Sequence, residues 1–122
     1  MAKNGKHKQT LQAPVLNAYR VMWLFVFFDL PVLTKKERKE AGLFRKNLVK
    51  DGFTMMQYSV YTRHCASDES ALVHIKKVKQ KIPEKGQVSI LKETDKQYGD
   101  IANYWGKKEQ PPVPAPAQME LF

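Results

Sequence analysis

Residues 20–31 read RVMWLFVFFDLP, and this stretch decides the fold. From Val21 to Phe28 every residue is apolar, with phenylalanine and valine prominent. The run is far shorter than the roughly 20 residues that a bilayer span needs. It reads instead as a central β-strand covered on both faces. Pro31 cannot donate to a ladder, so Asp29-Leu30-Pro31 ends the strand and leaves a carboxylate at its carboxyl end. Lys3, Lys6 and Lys8 ahead of the run imitate a secretory leader, but Asp29 interrupts it and no small-residue cleavage site follows. The expectation is a soluble protein.

Working outward, Thr34-Lys35-Lys36-Glu37 has the pattern of a capping box, and Ala41, Phe44 and Leu48 recur at helical spacing as far as Gly52, a left-handed terminator. Residues 53–63 are dense in Thr, Tyr, Val and Met and predict one or two short strands bending near Gln57-Tyr58-Ser59. Ser67 caps a second helix whose first turn carries Asp68 and Glu69; Leu72, Ile75, Val78 and Ile82 are its expected buried stripe before Pro83. Val88 and Ile90 alternate with polar residues in a further strand, and residues 101–105 add a short one. The order βαββαβ plus an extra strand is the α+β, ferredoxin-like arrangement, with two helices on one face of an antiparallel sheet.

The folded unit expected from this reading spans residues 20–106. Residues 1–19 form a basic tail without periodicity, and residues 107–122 a tail built around PPVPAPA at 111–117 with an apolar end. A chain of 122 residues holds one core, which excludes a cofactor enzyme with separate binding and catalytic domains. Lysine and arginine number 21 against 12 aspartates and glutamates, a formal charge of +9, which points to an anionic partner, nucleic acid before membrane. Cys65 is the only cysteine. No intramolecular disulfide or paired-cysteine zinc site can form, and a reducing cytoplasm is the simplest compartment.

Four segments, FVFFDLP at 25–31, TKKERK at 34–39, DGFTMMQYSVYTR at 51–63 and KGQVSILKETDKQYGDI at 85–101, together resemble the CRISPR-associated Cas2 family, and the MMQYSVY wording its type II members. The resemblance covers residues 20–106. It implies a ferredoxin-like homodimer whose extra strand crosses to the partner's sheet. Such a dimer bridges two dimers of an integrase partner of the Cas1 family and offers a positively charged platform for duplex DNA during spacer acquisition. Several family members are also described as metal-dependent nucleases, so the alternative is a magnesium-dependent endonuclease acting on RNA or DNA in a prokaryotic cytoplasm. Asp29 matches the family's aspartate, where one copy from each protomer can share a magnesium ion. Met55 stands where many members carry a basic residue, a departure that counts against nuclease activity.

Magnesium takes one or two carboxylates plus water and phosphate, so two symmetry-related copies of Asp29 suffice chemically as catalytic metal ligands. The plainer reading of Asp29 is turn chemistry before Pro31. Lys35, Lys36, Arg38, Lys39, Arg45, Lys46 and Arg63 are the candidate phosphate contacts, giving sequence-independent and salt-sensitive binding. A solvated helix face is the alternative for each one singly. His64, Cys65 and His74 fit no metal spacing and are assigned no chemistry. Phe44, Phe53, Tyr58, Tyr61, Trp23 and Trp105 are expected in the core, because the strand signature of an RNA recognition motif is missing from residues 51–58. Finally, Gln118-Met119-Glu120-Leu121-Phe122 resembles the pentapeptide by which bacterial replication and repair proteins dock on the sliding clamp, with Gln118, Leu121 and Phe122 as the contact residues.

Overall fold

The computed structural model describes residues 20–111. Six strands and three helices follow one another: β1 (Met22–Asp29), α1 (Lys35–Lys50), β2 (Thr54–Gln57), β3 (Val60–Cys65), α2 (Asp68–Gln80), β4 (Gln87–Thr94), α3 (Asp95–Gly99), β5 (Asn103–Trp105) and β6 (Lys108–Gln110). Strands β1 to β4 form one antiparallel sheet in the order β2-β3-β1-β4. This is the expected ferredoxin-like topology, with the apolar strand β1 in the interior.

Alternation along β1 divides the core in two. Met22, Leu24, Val26 and Phe28 point to one face, where Phe44 and Leu48 of α1 and Ala71 and Val78 of α2 cover them. Trp23 and Phe25 point to the other face, under Tyr98 of α3 with Met56, Val60 and Ile101 alongside. That second face is covered over only part of its length. Phe27, two residues before Asp29 on the same side, is 39% exposed.

The helix ends follow their local chemistry. The Thr34 hydroxyl accepts from the Glu37 amide at 3.0 Å while the Glu37 carboxylate accepts from the Thr34 and Leu33 amides, a complete capping box. These contacts, the Thr34 amide first, hold the Glu37 carboxyl below the usual glutamate range. At the other end Gly52 takes φ +91° and donates to the Val49 carbonyl, the left-handed close that only glycine adopts cheaply. Ser67 caps α2 through the Ser70 amide.

One sequence expectation is corrected. The buried side of α2 is Ala71, Ile75 and Val78, not a stripe running from Leu72 to Ile82, both of which are exposed. Small Ala71 lets the helix lie close to the sheet, a packing choice that apolar spacing alone does not resolve. Residues 95–99 form a short helix with a second capping box, Thr94 and Gln97, an element the sequence reading did not include. Beyond the main sheet, β5 pairs with β6 in a separate two-stranded ribbon that turns at Gly106, φ +67°, and carries the chain to Gln110.

Candidate nucleic-acid interface and carboxylate site

The motif at 94–98 has a structural task. Asp95 accepts a 2.7 Å hydrogen bond from the Trp23 indole, and Tyr98 stacks on Trp23 with ring centroids 3.6 Å apart and planes 3° from parallel. Thus α3 is fastened over one end of β1. Asp29 lies at the opposite end of that strand, on the same uncovered face, paired with Gln87 across the β1–β4 ladder. It is exposed, and Phe27, Ser59, Val60, Gln87 and Ser89 help it line a shallow depression.

Gly86 sets the position of this strand end. Its φ is +99°, and a methyl group there would meet Leu30 Cδ2 at 2.7 Å and the Asp29 carbonyl at 2.9 Å. Only glycine allows β4 to start so close to the Asp29–Leu30 backbone. The polar groups around the depression, the Asp29 carboxylate, the Gln87 amide and the Ser59 and Ser89 hydroxyls, offer oxygen donors. Such a set suits a hard dication, but Asp29 is the only charged ligand in it. Among the described residues no three or more His, Cys, Asp or Glu come together as a metal-binding group.

The basic residues separate into distinct environments. Along α1 the core contacts are Ala41, Phe44 and Leu48. At 100° per residue, Lys35, Lys39, Lys46 and Lys50 fall on the side directly opposite, and all four are exposed. They make a straight lysine stripe about 22 Å long, and among the described residues no carboxylate forms an ion pair with any of them. Lys50 was not singled out in the sequence; its place in the stripe is legible only once the buried side of α1 is known. Lys36 is exposed beside the stripe. Arg38 turns back to donate to the Val32 and Leu33 carbonyls at 3.0 Å each, bracing the loop after Asp29.

Arg63 does not face outward. It extends from the helix-covered side of β3 and donates to the Asp51 carbonyl at 2.7 Å and the His64 carbonyl at 2.8 Å, against Gly52. A cation at the end of α1 also compensates the helix dipole. Its guanidinium is partly buried and bonded to backbone carbonyls, unlike the exposed α1 lysines. His74 meets both carboxylate oxygens of Asp51 at 2.9 and 3.0 Å, with Lys77 at 3.6 Å, and so ties α2 to the end of α1. Burial pushes the Cys65 thiol up, away from the thiolate a nucleophile needs. His64 is buried against the edge of Trp23.

Core packing accounts for Phe44, Phe53, Tyr61 and Trp23, but not for two of the aromatics expected inside. Tyr58 is 70% exposed and Trp105 78%. Tyr58 sits in the β2–β3 turn, with the Arg45 guanidinium carbon 3.9 Å from its ring centroid. Met55, on β2, is exposed as well. Gln118, Leu121 and Phe122 of the clamp-like motif lie outside the described residues, as do residues 1–19.

Residues 22–101 match the family model described as CRISPR associated protein Cas2. The chain belongs to the Cas2 family. It is 54% identical over 101 residues to the CRISPR-associated endoribonuclease Cas2 of Parvibaculum lavamentivorans, covering 83% of this chain and 100% of that protein. To the protein of the same name from Flavobacterium psychrophilum it is 49% identical over 107 residues, 88% of this chain and 93% of the relative. A solved Cas2 crystal structure superposes with a TM-score of 0.51 at 19% identity, over 77% of this chain and 95% of that one, and supports the fold. The Cas2 match spans β1 to α3 and ends at Ile101, before the β5–β6 ribbon. Among the described residues no helix is long and apolar enough to cross a membrane.

Proposed function

We propose that this chain is a homodimeric scaffold of CRISPR spacer acquisition that binds duplex DNA and bridges dimers of a Cas1-family integrase in the prokaryotic cytoplasm. The observation that carries the reading is the lysine stripe of α1. Four unpaired cations on the side of a helix opposite its core contribute nothing to packing, and a row of positive charge of this kind suits the phosphate backbone of a duplex. Lys36, Arg38 and Arg45 extend the basic surface toward the loop after Asp29. The sheet face left open around Phe27 is the surface on which a second copy docks, and it would bring two Asp29 carboxylates together.

A second reading is favoured by the names of the relatives, which are endoribonucleases, and by the oxygen donors around Asp29. Two copies of Asp29 would hold one magnesium ion, with Gln87 and the serine hydroxyls near it. The bound ion would supply charge stabilisation to a phosphodiester under attack. The chain's own contribution is to fix the carboxylate at a strand end, through Gly86 and the Gln87 pairing.

Spacer integration with the cognate integrase separates the two readings when wild type and Asp29→Ala are compared, each also assayed alone for magnesium-dependent cleavage of RNA and duplex DNA. The scaffold reading expects intact integration by Asp29→Ala and no cleavage above background by wild type. Loss of cleavage and integration together, in a variant that still dimerises, places the nuclease reading first.

A further inference from the structure

Tyr58 is a large aromatic side chain held outside the core against the Arg45 guanidinium. The Arg45 guanidinium lies over its ring at 3.9 Å, and Arg45 Nε donates to the Tyr58 carbonyl at 3.4 Å. The same guanidinium carbon is 5.2 Å from the Phe28 ring centroid, so the arginine bridges the turn and the last apolar residue of β1. Among the described residues no carboxylate pairs with Arg45. One face of the tyrosine ring is therefore covered by a cation, and its 70% exposure leaves the other to solvent.

The register places this pair at the end of the sheet where β1 closes with Asp29. Phe27 pairs with Val60, and the Phe28 amide donates to the Ser59 carbonyl at 3.1 Å. Tyr58 precedes Ser59 in the turn between Gln57 and Val60, so it lies at the Asp29 end of the sheet, on the helix-covered side where Phe28 and Arg45 are. Ser59 and Asp29 line one depression. An open aromatic face with a fixed guanidinium at its back offers the two contacts a nucleotide needs: a stacking surface for a base and planar donors for the adjoining phosphate.

We propose that Tyr58, held by Arg45, is a stacking subsite for an unpaired base of a nucleic-acid strand that passes the Asp29 end of the sheet. The subsite rests on the reading of this chain as a nucleic-acid-binding protein. It differs from the lysine stripe in kind, because a base inside a duplex has no free ring face to offer. It is sequence-tolerant, since every base has a π-face.

The test is fluorescence anisotropy with three labelled probes: a 12-nucleotide oligothymidine, a 12-unit abasic phosphodiester of equal charge, and a 20-base-pair DNA duplex. Wild type, Tyr58→Phe and Tyr58→Ala are compared. The expected result is that Tyr58→Ala binds the oligothymidine about tenfold more weakly, binds the abasic strand and the duplex as wild type does, and that Tyr58→Phe restores the loss. Equal weakening on the abasic and base-bearing strands, or no weakening, overturns the subsite while leaving duplex binding to support the scaffold reading. Failure of the wild type to bind any probe overturns both. Thermal melting and size-exclusion mass accompany the titrations, and a Tyr58→Ala protein that loses its dimer assigns Tyr58 to the protomer interface and overturns the subsite.

Discussion

Replacing Lys39 and Lys46 together with alanine tests whether the α1 stripe meets phosphates. The two lysines are exposed on the side opposite Ala41, Phe44 and Leu48 and lie seven residues apart, about 10 Å along the helix axis. Neither has a recorded hydrogen bond or ion pair among the described residues, and alanine is the better helix former, so folding stability should stay within about 0.5 kcal/mol. Each lysine that neutralises one phosphate contributes about 0.9 to the slope of log affinity against log salt. Removing two from a protomer lying on the duplex lowers that slope by about 1.8. Between 50 and 200 mM salt, a fourfold change, the affinity advantage of wild type over the variant should therefore shrink by a factor of about 12. The assay is anisotropy titration of a labelled 30-base-pair duplex at 50, 100 and 200 mM sodium chloride, with circular dichroism melts as the folding control. Parallel salt plots for the two proteins would refute the reasoning, because a loss independent of salt is not counterion release.

Gly86→Ala forces a side chain into left-handed backbone against Leu30 and the Asp29 carbonyl; a loss of about 2 kcal/mol is expected, roughly 8 °C in Tm, and an unchanged melt would show that the strand end yields easily. Trp23→Phe removes the donor to Asp95 and part of the stack on Tyr98; urea unfolding should report about 2 kcal/mol, with faster amide exchange in residues 95–99 than in the wild type. Because the Glu37 carboxyl is held low by its capping contacts, chiefly with the Thr34 amide, its contribution to α1 is present above the unfolded value and is lost as pH falls through the lowered one. Acid melts below about pH 4.3 should show a difference between wild type and Glu37→Ala that shrinks with falling pH. If the clamp-like ending operates, Leu121→Ala with Phe122→Ala abolishes binding to a bacterial sliding clamp in a pull-down, and equal binding by that double variant removes the idea.

Much of the site was legible because its residues obey local rules. Asp29 stands out where an apolar run meets Leu30-Pro31, and the α1 lysines stand out as a cluster after it. The setting of Arg63 was not legible for a physical reason: nothing in a linear sequence says that the turn at Gly52 brings the end of α1 over β3, where the Asp51 carbonyl accepts from its guanidinium. Tyr58 was misread for the converse reason, since an aromatic residue in an apolar neighbourhood is ordinarily buried, and only the turn places it outside under Arg45.

By itself the sequence determined the elements. Caps at Thr34 and Ser67, the glycine close at Gly52 and the doubly apolar strand β1 depend on bonds and burial within a few residues, and they specify the βαββαβ order. Tertiary structure decided which sides meet. Ala71 rather than Leu72 faces the sheet because close approach favours the smaller side chain, and the 94–98 segment is a latch on Trp23 because the indole needs an acceptor. The lysines become a stripe, and Asp29 and Tyr58 share one end of the sheet, only through helix packing and strand register, which depend on residues far apart in the chain.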